Sequence, residues 1–192
     1  MLETNIKKFN HLKIHSQYSI CEGAIKIDTL KDNAKDFKIK ALGLCDTSNL
    51  CGALEFAEKI SKVGTQPIIG TQINFKYGDC IGLLPLFALN EEGYKRIIKL
   101  SSISFLENDE LSDPHVDFKN LLDDNKGVAV FSGTIFGLFG ELYNKGKFSD
   151  VLDLYKRLKL NFGDRFYIEI QRHNDQNESG FEKFNLNKSL EL

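Results

Sequence analysis

Three residues able to hold a divalent cation each follow a run of strand-like sequence. His15 follows residues 12–14, Asp46 follows residues 41–45, and His173 closes the stretch 165–172. Imidazole and carboxylate are ligands for ions such as Zn²⁺ and Mn²⁺, and Glu22 offers a fourth donor. Strand-end His and Asp also cap helices and bond loop backbone without any metal, so both roles stand open. Other chemistries find less footing, since the chain has no P-loop, GxGxxG or GxSxG motif. Cys21, Cys45, Cys51 and Cys80 lack CxxC or zinc-knuckle spacing. Gly133, Gly137 and Gly140 read as turns and close packing, and Asp123, Asp124, Asp150 and Asp153 as solvated or capping acids. Lys95, Arg96, Lys156, Arg157 and Lys159 read as solvated helix faces.

The elements that must position these residues alternate in type. Strands are predicted at residues 12–14, 41–45, 67–75, 80–88, 128–131 and 165–172. Tyr77-Gly78-Asp79 turns the third into the fourth, and Pro85 predicts an edge position or a bulge. Helices are predicted from an N-cap at Asp28, with Leu30, Ala34 and Phe37 on one face, and over 53–63, with Leu54, Ala57 and Ile60 on one stripe and Gly64 as the stop. Others cover 93–105, the region of Phe118 and Leu121, and two stretches marked by Leu138 and Leu142 and by Val151, Leu154 and Leu158. A last helical stretch runs over 178–192 with Phe181, Phe184 and Leu190. This alternation implies βαβ units and a largely parallel sheet. Chemistry in such folds sits at the strand C-termini, which selects His15, Asp46, Gln72, residues 132–134 and residues 171–173.

The 192 residues, 42% of them hydrophobic, suit one domain over 1–192 that folds without disulfides or structural metal. Lys and Arg number 25 against 27 Asp and Glu, and a net charge of −2 excludes a generally basic nucleic-acid-binding surface. Fifteen Phe and six Tyr exclude disorder. No stretch nears the ~20 apolar residues of a membrane span, and residues 1–10 lack the apolar core of a signal peptide. A cytoplasmic chain is expected, with Cys45 and Cys80 as reduced core thiols.

Five segments in order carry a resemblance: His11-Leu12-Lys13-Ile14-His15-Ser16-Gln17-Tyr18-Ser19, Leu44-Cys45-Asp46-Thr47-Ser48-Asn49-Leu50-Cys51-Gly52, Gln66-Pro67-Ile68-Ile69-Gly70, Leu86-Phe87-Ala88-Leu89-Asn90-Glu91-Glu92-Gly93-Tyr94 and Arg165-Phe166-Tyr167-Ile168-Glu169-Ile170. Together they resemble the N-terminal PHP (polymerase and histidinol phosphatase) domain of the bacterial DNA polymerase III alpha subunits, the C-family replicative polymerases. The resemblance implies an α/β fold, a PHP-type distorted (β/α)7 barrel, here truncated before its last strand. In the replicase this domain precedes palm, thumb and fingers, whose Mg²⁺-dependent nucleotidyl transfer lies beyond residue 192. No cofactor is expected in the segment itself.

Active members hold a metal cluster, and the resemblance places its ligands one by one. The opening His-x-His becomes Lys13 and His15, and the acid before Gly is Glu22. The Asp-His pair becomes Asp46-Thr47, and the later ligands become Gln72, Leu83 and Thr134. His173 keeps the metal-binding form. The resemblance thus leaves His15, Glu22, Asp46 and His173 as remnant ligand positions, expected to be vacant. Lys13 is expected to supply positive charge among Glu22 and Asp46 in place of a metal. The implied role is a non-catalytic scaffold docking the proofreading 3′–5′ exonuclease subunit among other replicase subunits, with DNA reached through the full-length chain and no membrane. The alternative is an active phosphoesterase or 3′–5′ exonuclease using Mn²⁺ or Zn²⁺ at His15, Asp46 and His173.

Overall fold

A computed structural model of the chain describes residues 9–108, 112–171 and 176–189. Within them the elements run α1 (Ile27–Asp36), β1 (Ala41–Thr47), α2 (Ala53–Lys62), β2 (Gln66–Tyr77), β3 (Cys80–Ala88), α3 (Glu91–Leu106), β4 (Val116–Asp117), α4 (Phe118–Asp123), β5 (Val128–Phe131), α5 (Leu138–Asn144), α6 (Phe148–Phe162), β6 (Phe166–Tyr167) and α7 (Gln176–Ser189). The strands lie in the order β1-β2-β3-β5-β6, with β4 beside the far half of β2. No backbone ladder closes this sheet among the described residues.

The sheet is mixed rather than largely parallel. β1–β2, β2–β4 and β5–β6 are parallel, whereas β2–β3 and β3–β5 are antiparallel. The cause is the tight turn between Tyr77 and Cys80, too short for a crossover helix, with Gly78 at φ +62°. β3 therefore lies inside the sheet, which corrects the edge position expected from Pro85. That residue faces Gln72 and falls one position short of the pairing with β5, which begins at Leu86.

Period-two alternation sorts the strands onto two faces. Leu42, Leu44, Ile73, Phe75, Leu84, Leu86, Val128 and Val130 point outward under the helices, in two buried clusters. Cys45, Phe87 and Ala129 form a smaller inner cluster with Leu12, Ile68 and Phe131. α1 and α2 cover the β1 end, while α3 to α7 cover the rest.

The expected strand at 12–14 is an extended segment lying along β1. Gly43 N–H donates to His11 O at 2.7 Å and Cys45 N–H to Ile14 O at 2.8 Å. A Cβ on Gly43 would sit 2.1 Å from Leu12 O, so only glycine permits this approach.

Three further expectations shift. α1 is capped at Lys26, with Asp28 inside its first turn, because the chain turns helical early enough to bury Ile27. α2 buries Ala53, Phe56 and Ile60 and leaves Leu54 exposed, since the large Phe56 ring draws the stripe to its own side. Of the described residues 165–171 only Phe166 and Tyr167 pair in the sheet, because β5 ends at Phe131 and the chain bends away at Gly133, φ +74°; Arg172 lies outside the described residues. α7 spans Gln176–Ser189 with Phe181 and Phe184 beside Tyr143; Leu190 lies outside the described residues.

Candidate functional site

A cleft of about 430 Å³ opens where the 12–15 segment, β5 and β6 end. Its walls hold Lys13, His15, Glu22, Gln72, Leu83 and Thr134, with Gln171 and Phe136 among their neighbours. Of the positions selected at strand ends, His15, Gln72, Gly133, Thr134 and Gln171 line it, together with Lys13, Glu22 and Leu83, which the resemblance adds; Asp46 does not. What they do chemically differs from a metal centre.

Asp46 is buried and faces away from the cleft, behind the 16–19 turn. Its Oδ1 accepts from Ser16 N–H at 2.6 Å and Ser19 Oγ at 2.7 Å, and its Oδ2 accepts from Ser16 Oγ at 2.8 Å. Ser19 Oγ also accepts from Thr47 N–H at 3.0 Å. The carboxylate therefore knots the 16–19 turn onto the end of β1. Alternation along β1 puts Asp46 on the side of Leu42 and Leu44, and Thr47 on the side of the cleft.

Thr47 does the bridging there. Its hydroxyl donates to Glu22 Oε2 and accepts from Gln72 Nε2 at 2.7 Å. His15 Nδ1 is buried without a hydrogen-bond partner among the described residues, 3.9 Å from Glu22 Oε2. Lys13 Nζ lies 3.2 Å from Glu169 Oε1, and Gln171 Nε2 donates to the same oxygen at 2.8 Å. Lys13 thus pairs with Glu169, not with Glu22 or Asp46 as expected. The sequence offered one faint signal for this, since Glu169 stands near the end of the last strand-like stretch. His173 lies outside the described residues.

The donors among the described residues do not by themselves fit a metal ion. Among the described residues no three of His, Cys, Asp and Glu gather to hold one. Among the described residues the cleft offers one imidazole and one carboxylate beside an ammonium and two neutral amides, against the three protein ligands of a catalytic zinc site. Below the cleft, burial pushes the Cys45 thiol up, so it stays protonated. No helix among the described residues is long and apolar enough to cross a membrane.

The convergence of strand-end positions under a shell of helices matches a known class. The model of the PHP domain family covers residues 11–173, and the chain belongs to that family. Among curated relatives, the DNA polymerase III subunit alpha of Caulobacter vibrioides is 36% identical over 86% of this chain. That of Rickettsia felis is 35% identical over 96%, and that of Borreliella burgdorferi 36% over 86%. The chain spans about 15% of the length of these relatives. A solved structure of a provisionally assigned metal-dependent phosphoesterase from Bifidobacterium adolescentis aligns over 93% of this chain and 83% of its own. Its TM-score is 0.45 at 12% identity, which carries no argument.

Proposed function

We propose that this chain is the N-terminal PHP segment of a DNA polymerase III alpha subunit, serving template-directed DNA synthesis by a longer protein. Within that protein the segment is a non-catalytic scaffold that docks the proofreading 3′–5′ exonuclease subunit. The observation that supports this reading is the donor set of the cleft. Lys13 is tied to Glu169, Asp46 to Ser16 and Ser19, and Gln72 to Thr47, so the side chains are committed to one another rather than to an ion. Identity of 35–36% to the alpha subunits over 86–96% of the chain supports the replicase context. DNA and the other replicase subunits are then reached through the longer protein.

A second reading, an active metal-dependent phosphoesterase or exonuclease, draws on the orphaned His15 Nδ1 beside Glu22. The two separate in one assay. Metal analysis and hydrolysis of a nitrophenyl phosphate ester with added Mn²⁺ or Zn²⁺ should show no stoichiometric metal and no metal-dependent rate. Stoichiometric metal with hydrolysis that fails in His15→Ala would replace the first reading by the second. Docking is checked by binding of the purified exonuclease subunit to the full-length polymerase with and without this segment.

A further inference from the structure

Away from the strand ends, a second cleft of about 380 Å³ lies between α3 and the loop after α4, lined by Glu92, Lys95, Arg96, Lys99, Asp124 and Lys126. Glu92, Arg96 and Lys99 recur at spacings of four and three, which places them on one face of α3. Arg96, expected on a solvated helix face, is only 8% exposed. Its Nη2 donates to Asn120 O in α4, and its Nε has no hydrogen-bond partner among the described residues. Lys95 is drawn aside to Glu91 at 2.6 Å, whereas Arg96, Lys99 and Lys126 have no carboxylate partner among the described residues. The loop that carries Lys126 is held in place. Leu89 N–H donates to Gly127 O at 2.8 Å, and Asn90 Oδ1 accepts from Gly93 N–H at 2.9 Å at the start of α3. A Cβ on Gly93 would fall 1.8 Å from Gly127 O, so the loop sits directly on the first turn of α3. Arg165 Nη2 adds a bond to Asn125 Oδ1 at 2.7 Å. Four cations against two acids give this cleft an excess of two positive charges in a chain of net −2.

We propose that this cleft is a phosphate site, in which Arg96, Lys99 and Lys126 hold the dianion of a phosphate monoester. A guanidinium this far from water calls for an anion beside it. Its planar fork and two lysines supply the charge-assisted donors that phosphate oxygens take. An excess of two charges matches one phosphate dianion. A polynucleotide backbone fits less well. No aromatic side chain among the described residues lines the cleft to stack a base, and Glu92 and Asp124 repel a run of further phosphates. The inference goes beyond the scaffold reading and does not depend on it, since none of these residues lines the strand-end cleft.

Hydrogen exchange, followed by mass spectrometry in the full chain, reads the cleft locally with inorganic phosphate as the probe. Phosphate should slow exchange in 89–99 and 120–127, and potassium chloride at the same ionic strength should not. Lys99 and Lys126 are exposed, so replacing them spares the core. Lys99→Gln and Lys126→Gln should each raise the phosphate concentration needed about tenfold. Equal slowing by chloride, or slowing undiminished in both variants, would overturn the site. A short single-stranded oligonucleotide, with and without a 5′-phosphate, separates the carriers of the group. Protection that needs the 5′-phosphate assigns the monoester to a nucleic-acid end. Protection by inorganic phosphate and by neither oligonucleotide assigns it to a small molecule. Equal protection by both oligonucleotides and none by inorganic phosphate would overturn the monoester in favour of the diester backbone. The hydrolysis assay reads the other cleft, so failure of the scaffold reading remains distinguishable.

Discussion

Asp46 shows how a carboxylate can look like a ligand and act as a fastener. Three donors reach it inside the protein, and an ionised acceptor gains about 1.5–3 kcal/mol from a hydrogen bond that water would otherwise satisfy. Asp46→Ala removes the acceptor and leaves Ser16 and Ser19 buried without it. The substitution should cost about 3 kcal/mol in a denaturant titration, with or without divalent metal present. A cost that appears only with metal would return Asp46 to the ligand set. The gathering of His15 and Thr134 at one cleft was legible in the sequence, because parallel strands deliver their C-terminal ends together, whereas Gln72 joins them from within β2. Which oxygen bonds which donor was not legible. One residue along β1 separates Asp46, turned toward Ser16 and Ser19, from Thr47, turned into the cleft, and strand parity was the available clue.

Elements show the same division between pattern and partner. The hairpin at Gly78, the stop at Gly64 and the presence of the helices inside the described residues could be read from periodicity and turn chemistry, with the ends of α2 and α3 placed within two residues. The 12–14 segment could be read as extended, but not its dependence on Gly43. Gly43→Ala pushes a methyl group into Leu12 O and should cost about 3 kcal/mol, seen as a lower denaturation midpoint. A second tie joins the end of β2 to α6, where the Tyr77 hydroxyl donates to Asp153 Oδ2 at 2.5 Å. Burial, then that carboxylate, push the Tyr77 phenol from 10.0 up to about 12. Raised in the folded state, the neutral phenol contributes stability that is complete below pH 10 and lost as pH climbs through 12. Tyr77→Phe should flatten that part of a stability-versus-pH curve. At the acid end the Tyr77 hydrogen bond, then Arg157, hold the Asp153 carboxyl below its usual range. Its contribution is present above the usual carboxylate value and is lost as pH falls through the lower one, a small effect because water screens a half-exposed group.

Across the whole molecule, helices and inner cluster leave two thiols inside and two outside. Cys45 and Cys80 are buried, whereas Cys21 and Cys51 are exposed. Peptide mapping after maleimide treatment of the native chain should find label on Cys21 and Cys51, with Cys45 and Cys80 reacting only on unfolding. Composition and strand alternation made the α/β class legible, together with a core large enough to need no staple. The Lys13–Glu169 pair was not legible, because its partners stand 156 positions apart in the chain.

The mutual commitments around the cleft also make its present state hard to reverse. Lys13→His alone would offer an imidazole but abandon Glu169, and Gln72→Glu would bring a second acid to the Thr47 hydroxyl that already serves Glu22. Each first step toward a coordinating pocket costs stability before any ion can repay it. A lineage carrying this arrangement sits behind a fitness valley several substitutions wide, so drift among its descendants should vary the rim and leave the pairings in place.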